Sequence, residues 1–455
     1  MNIASAVALR EMPASDVRPL AADLAKGKVG LIEFARKAGR DILSVIPEET
    51  LHETYLRGPA NLHYVCDPEI ITEVLVGKGR HFPKSSFTKN VIGSAVGNGL
   101  ILAEGDKWKA QRRRYSPLFA ARNLPVMVAH MAGTGIELAR SLEKTDGMID
   151  IANAAQEATL TNISKVMFSG LETVAPATVR EALRRYTAFI SYMSLFDLMG
   201  MPGWMPRLKW LRNKEPVRHV RNLGLNVILS RRAKMHDVPE DFLDLMIAAL
   251  EEDFEEVDTT VDNLLTFVVA GYETSANTLA WALYLLALYP DVQDALRQEV
   301  RAACPQGPIP YESVSQMPAL LAHIRETMRL YPAAALYARD ATEPLESKGV
   351  TFKKGDAIML PVYSLHRNTK LWEEPDQYRP DRFLDRKYPR GQFIPFGDGP
   401  RICIGAHYAE TEIMVLLASI LRRVRIELST HAIPKPVLTF TMRPSGPIIL
   451  NVGPV

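Results

Sequence analysis

Only three of the 455 residues are cysteine, Cys66, Cys304 and Cys403, and no two of them form a C-x-x-C pair. That excludes a disulfide scaffold and a zinc site built on paired cysteines, and it suits a reducing cytoplasm. Charge of one sign is also lacking, since 54 Lys and Arg stand against 52 Asp and Glu for a formal net charge of +2. So mild a balance argues against a nucleic-acid partner, which demands a basic footprint. The amino-terminal apolar stretch stops at Arg10 and Glu11, well short of the ~20 residues a helix needs to cross a bilayer, so no signal peptide or membrane anchor is expected. The other candidate span, Leu264 to Tyr289, carries Glu273, Thr274, Ser275, Asn277 and Thr278 at its middle. It reads as a long helix through the centre of a soluble protein. No repeat, low-complexity tract or Gly/Ser linker divides the chain.

What is present is an ordinary globular composition, 47% hydrophobic and 23% charged, far from the balance of a disordered chain. One domain over residues 1–455, mainly α with minor β, is the expectation. Within it, 1–65 is a mixed amino-terminal part, 66–330 a helical body and 331–455 a β-rich region with a glycine-rich cysteine loop. Short turn-bounded runs such as GVTF and AIMLPV predict strands between Ala341 and Pro361. After the loop FGDGPRICIG, Ile413, Leu416, Leu417, Ile420, Leu421 and Val424 recur at steps of three and four and predict a helix. The chain ends in the strand-like pieces TFTM and IILNV.

Three constellations carry chemistry. In the loop Phe396 to Gly405, Cys403 sits among Gly397, Gly399 and Gly405, just before the predicted helix. A thiolate at a helix N-terminus is stabilised by free backbone N–H groups and the dipole, which suits a metal ligand; the alternative for such a cysteine is an inert buried thiol. Glu326 and Arg329 are three apart on one helix face and will pair, for only ~0.2–0.5 kcal/mol if exposed. On the central helix, Ala270-Gly271-Tyr272-Glu273-Thr274 puts an acid and an alcohol into an apolar stretch. The Thr274 hydroxyl can bond the Ala270 carbonyl, and Gly271 leaves room, so a groove for water and a small ligand is predicted.

FGDGPRICIG matches F-x-x-G-x-R/H-x-C-x-G at every specified position, and on this signature the chain resembles the cytochrome P-450 superfamily of haem-thiolate enzymes, in its soluble bacterial form. The other landmarks follow in family order: W-x-x-x-R as Trp108 and Arg112, A-G-x-D/E-T as AGYET, E-x-x-R as Glu326 and Arg329, and P-x-R-F with Arg382. The resemblance implies a single fold with a long central helix over haem b and the cysteine loop beneath it. Cys403 would be the axial thiolate. Thr274 and Glu273 would deliver protons to dioxygen, and Glu326, Arg329 and Arg382 would form a buried network that holds the cysteine loop. The cofactor would contact Trp108, Arg112, Ala270, Gly271, Arg339, Phe396, Arg401 and Gly405, its propionates meeting Arg112, Arg339 and Arg401.

The activity implied is monooxygenation of an apolar small molecule by hydroxylation or epoxidation. The chain stops about fifty residues after the cysteine loop, so a separate ferredoxin or flavodoxin with its reductase is the expected electron donor. Lys109, Arg113 and Arg114 turn to other faces than Arg112 and would meet such an acidic partner. A cytoplasmic monomer is expected, although HRNTKLWEEPDQYRPDRF is similar to the subgroup that shares features with eukaryotic enzymes. By order, the substrate would be lined by Phe82 to Leu102, Phe189 to Phe196, Phe267 with Ala270 and Gly271, Ala333 to Leu336, and the turn near Ser445; plain core packing stays open for each aromatic. Two other roles, isomerisation of a peroxide or epoxide and gas sensing, fit less well with the retention of both Glu273 and Thr274.

Overall fold

The computed structural model describes residues 18–167, 178–186, 215–233, 242–248 and 255–455, except 28, 30, 60, 87, 90–96, 98, 179–180 and 184. The main helices are α1 (Gly105–Tyr115), α2 (Leu124–Thr145), α3 (Ile151–Met167), α4 (Glu215–Arg232), α5 (Glu255–Leu288), α6 (Pro290–Ala303), α7 (Pro318–Leu330) and α8 (Ala406–Leu421). A proline opens the first turn of α2, α6 and α7, where its missing N–H costs nothing.

The 34-residue α5 runs through the core, and three of its threonines are satisfied within the helix itself. Thr266 donates to the Asp262 carbonyl at 2.7 Å, Thr274 to that of Ala270 at 2.6 Å and Thr278 to that of Thr274 at 2.9 Å. Back-bonding of this kind lets hydroxyls be buried without further partners. Helix α5 packs on α3 and α4 and contacts α7 and α8, while α8 lies along α2. No helix among the described residues is long and apolar enough to cross a membrane.

The minor β component consists of short strands. A four-stranded sheet has the order β1 (Tyr55–Arg57), β2 (Leu62–Val65), β7 (Ala357–Leu360), β4 (Tyr337–Asp340), with β2 and β7 parallel and the other pairs antiparallel. It joins the amino-terminal part directly to the region after residue 331, through Leu62 against Ala357 and His63 against Ile358. A second sheet places β11 (Ile449–Pro454) between β3 (Gly147–Asp150) and β8 (Val424–Leu428), and β5 (Leu345–Ser347) pairs with β6 (Val350–Phe352). The strands expected at GVTF, AIMLPV and IILNV are therefore present, and α8 covers the expected helix after the cysteine loop. TFTM is different. Strands β9 (Pro436–Leu438) and β10 (Met442–Pro444) flank it, so Thr439 to Thr441 form the tip of a hairpin, closed by the Thr439 N–H on the Thr441 carbonyl at 3.3 Å.

Candidate active site

One cavity lies between α5 and the loop that precedes α8, and it brings together most of the residues singled out from the sequence. The loop depends on glycine. Gly397 and Gly399 have φ of 77° and 71°, and a Cβ on Gly399 would come 2.3 Å from the Leu75 carbonyl oxygen. Only glycine fits such a left-handed, crowded position. The Cys403 N–H then bonds the Phe396 carbonyl at 2.9 Å, and Gly405 caps α8. Cys403 is exposed and lines the cavity, whereas Cys66 and Cys304 are buried. Although the side chain opens onto the cavity, the protein packed around it raises the Cys403 thiol pKa, opposed by the Gly405 N–H and the Arg112 guanidinium. A bound cation would reverse that balance and hold the thiolate.

One side of the cavity is cationic. Arg112 donates to the Ile402 carbonyl at 2.9 Å, which ties α1 to the cysteine loop. Arg401 bonds the Ala103 carbonyl at 2.6 Å, pairs with Glu104 and lies 4.2 Å from the centre of the Trp108 ring. Arg339, on β4, is 9% exposed, and among the described residues its guanidinium bonds only its neighbour's carbonyl, that of Ala338, at 3.0 Å. Burial, reinforced by Arg401 and opposed by Tyr337 and Glu104, pulls its pKa down to about 10. Lys84 lines the same wall, its ammonium donating to the Ile101 carbonyl; burial and then Arg339 and Arg401 bring its pKa down to about 7. Lys84 falls in the segment Phe82 to Leu102 expected along the substrate, but nothing local in HFPKSSF marks it as a cation of this wall, and sequence reasoning missed that role. On the outer side of α1, Arg113 is exposed and Lys109 pairs with Asp106 at 2.9 Å.

From α5, Phe267, Ala270, Gly271 and Thr274 line the cavity. A Cβ on Gly271 would meet Ile163 Cδ1 at 3.2 Å, so the glycine also permits the close approach of α3. Glu273 departs from the expected groove beside Thr274. It is 8% exposed, does not line the cavity, and accepts a hydrogen bond from the Thr441 hydroxyl at 2.6 Å. Successive residues of a helix point about 100° apart, and that turn carries Glu273 away from the cavity while Thr274 faces it.

Glu326 and Arg329 are fully buried and joined by two hydrogen bonds of 2.7 Å. Arg329 also donates to the carbonyls of His366, Pro375 and Gln377, and the Arg379 N–H donates to Glu326 at 2.8 Å. Arg382 is looser than the resemblance implies. Its Nε lies 3.7 Å from Glu326 with no hydrogen-bond partner, and its Nη2 bonds the Glu374 carbonyl at 2.9 Å. It lies in the proline-led turn Pro380–Phe383.

Besides the α5 residues, the walls contain part of two expected substrate segments: Lys84, Thr88, Leu100 and Ile101 from the first, and Ala333, Ala334 and Leu336 from the segment before β4. Ser445 is not among them. It sits at the base of the β9–β10 hairpin, bonded to the Lys435 carbonyl at 2.9 Å, and the tip from Thr439 to Thr441 faces the cavity instead. The run Phe189 to Phe196 lies outside the described residues. An accessible thiol beneath apolar walls, with three arginines and a lysine at one side, is a donor set that fits haem, whose iron takes a thiolate and whose two propionates need buried cations.

Comparison with known proteins points the same way. The family described as Cytochrome P450 matches residues 53–452. Among similar proteins, human "Cytochrome P450 3A5" is 30% identical over 422 residues, covering 85% of this chain and 82% of its own. An Arabidopsis thaliana "Cytokinin hydroxylase" is 30% identical over 419 residues, covering 86% and 79%. "Cytochrome P450 monooxygenase sphH" of Aspergillus fumigatus is 26% identical over 466 residues, covering 93% and 85%. These relatives are eukaryotic, so they lend no support to the bacterial subtype expected above.

Proposed function

The chain belongs to the cytochrome P450 family of haem-thiolate monooxygenases, and from that premise we propose that Cys403 is the axial ligand and Thr274 with Glu273 the proton-handling pair. When bound, haem supplies dioxygen activation, so that one oxygen atom enters a C–H bond or alkene of the substrate and the other leaves as water, with two electrons and two protons consumed. The observation that carries the assignment is the cavity that exposes Cys403 on one side and Thr274 on the other.

The chain's own residues have distinct tasks in this reading. Arg112, Arg339 and Arg401 hold the propionates, guanidinium forks being matched to carboxylates. Trp108 supports Arg401 by stacking, and Phe396, Gly405, Ala270 and Gly271 exclude water from the cofactor's faces. Thr274 holds a proton at Oγ1 while anchored to the Ala270 carbonyl. Glu326 and Arg329, with Arg382 beside them, fix the segment that leads into the cysteine loop. Phe267, Ala333 and Leu336 favour an apolar substrate. For the electron donor, the exposed basic side of α1 supports a small acidic ferredoxin or flavodoxin. A soluble, cytoplasmic enzyme is supported by the few cysteines and balanced charge; segment His366 to Phe383 and the eukaryotic relatives support a place near the eukaryotic subgroup.

The test is turnover under oxygen-18 dioxygen with ferredoxin, its reductase and apolar compounds that shift the Soret band. Product carrying one labelled oxygen, made only when donor is supplied, is the expected result. A product formed without donor or label would replace monooxygenation by isomerisation.

A further inference from the structure

Glu273 is joined to the cavity through a residue of the β9–β10 hairpin. The Thr441 hydroxyl donates to Glu273 Oε1 at 2.6 Å and accepts from Asn277 Nδ2 at 3.1 Å. Asn277 is one turn along α5 from Glu273, so both neighbours of the hydroxyl come from the same helix face. All three side chains are buried, at 3% exposure for Thr441 and Asn277 and 8% for Glu273. Thr441 lines the cavity, whereas Glu273 and Asn277 do not. The hairpin is held in place from the other side, because the Met442 N–H donates to the Ala333 carbonyl at 2.9 Å.

We propose that Thr441 is a positioning residue of the monooxygenase: its hydroxyl holds the Glu273 carboxyl and carries protons between it and the cavity. The Asn277 amide occupies one lone pair of Oγ1; when Glu273 is protonated the donation of the hydroxyl reverses, so that Glu273 gives to the second lone pair and the hydroxyl hydrogen turns to the cavity. A protonated Glu273 gives its proton to Thr441 Oγ1 while the hydroxyl's own hydrogen passes to an acceptor in the cavity. One O–H bond forms at Thr441 as one breaks, the hydroxyl is regenerated, and the charge remains on the carboxylate until a proton from solvent replaces it. Burial raises the Glu273 pKa, against Thr441 and Arg443, and so favours the proton-holding form. A packing role alone would be filled equally by valine, which has the same shape but would leave a buried carboxyl and a buried amide short of a partner.

This inference rests on the assignment of Glu273 to proton handling, and the experiment separates the two. Holoenzymes carrying Thr441→Val, Thr441→Ser and Glu273→Gln are compared with wild type, with Thr441→Ala as a smaller replacement should the valine variant lose haem. The infrared carboxyl band that disappears in Glu273→Gln should shift in Thr441→Val and return in Thr441→Ser, with no turnover required. In turnover, product per donor oxidised should fall severalfold in Thr441→Val, with hydrogen peroxide taking up the difference, and recover in the serine variant. An unmoved carboxyl band, or wild-type coupling in Thr441→Val while Glu273→Gln is uncoupled, overturns the role of Thr441. Wild-type coupling in Glu273→Gln overturns the assignment of Glu273 itself.

Discussion

Arg329 grips Glu326 at two points, Nε on Oε2 and Nη2 on Oε1, each at 2.7 Å and with neither side chain exposed. Three further donations from Arg329 and one into Glu326 leave little of the pair's hydrogen-bonding capacity idle. The backbone they bind lies between His366 and Arg379, ahead of the cysteine loop, so a contact within one helix turn organises a distant irregular segment.

Removing either partner therefore strands a buried charge. Glu326→Ala and Arg329→Ala should each cost ~3–5 kcal/mol and lower haem incorporation. Thermal unfolding and haem content of the purified variants measure this; wild-type values in both would reduce the pair to ordinary packing.

Cys403→Ser should abolish the thiolate-type Soret band of the reduced carbon monoxide complex, since serine oxygen is a harder and poorer donor to haem iron. Cys66→Ser and Cys304→Ser should keep it, both residues being buried away from the cavity. Persistence of the band in Cys403→Ser would remove the ligand assignment.

Thr274→Ala deletes a hydroxyl whose bond to the Ala270 carbonyl is worth only ~1 kcal/mol, so haem content and substrate affinity should survive. Proton supply should not. Product per donor oxidised is expected to fall, free hydrogen peroxide to rise, and added peroxide to restore part of the product. Equal coupling in variant and wild type would contradict the assignment.

Lys84 gives the haem-free protein a characteristic pH dependence. Its pKa is about 7 when folded, against ~10.4 for an ordinary lysine, so between those values the unfolded chain binds a proton that the folded chain does not. Stability should therefore rise with pH across that window, and the cost of charging Lys84 is fully present below about pH 7. Lys84→Met should flatten the rise in urea titrations, and haem, bringing two propionates, should take up protons as it binds at about pH 8 to 9 in wild type only. Parallel profiles for the two proteins would mean that Lys84 is solvated rather than held at the cavity wall.

Sequence alone determined whatever is set within a few residues. The glycines around Cys403, the stripe from Ile413 to Leu421, the back-bonded Thr274 and the three-residue spacing of Glu326 and Arg329 are consequences of backbone freedom and helical period. Tertiary structure decided the rest. Thr441 reaches Glu273 from 168 residues away, Arg401 reaches Glu104 from 297, and Lys84 enters the cavity from a segment with no motif at all. The TFTM run looked like a strand because its alternation suits one, yet packing made it the hairpin tip that faces α5. Arg382 shows the same limit, since its order in the chain was legible but its 3.7 Å separation from Glu326 was not. Local spacing reports neighbours within a turn. Contacts between distant segments depend on how packed elements bring loop ends together, and loop closure costs so little more with length that it leaves no local trace in the residues that eventually meet.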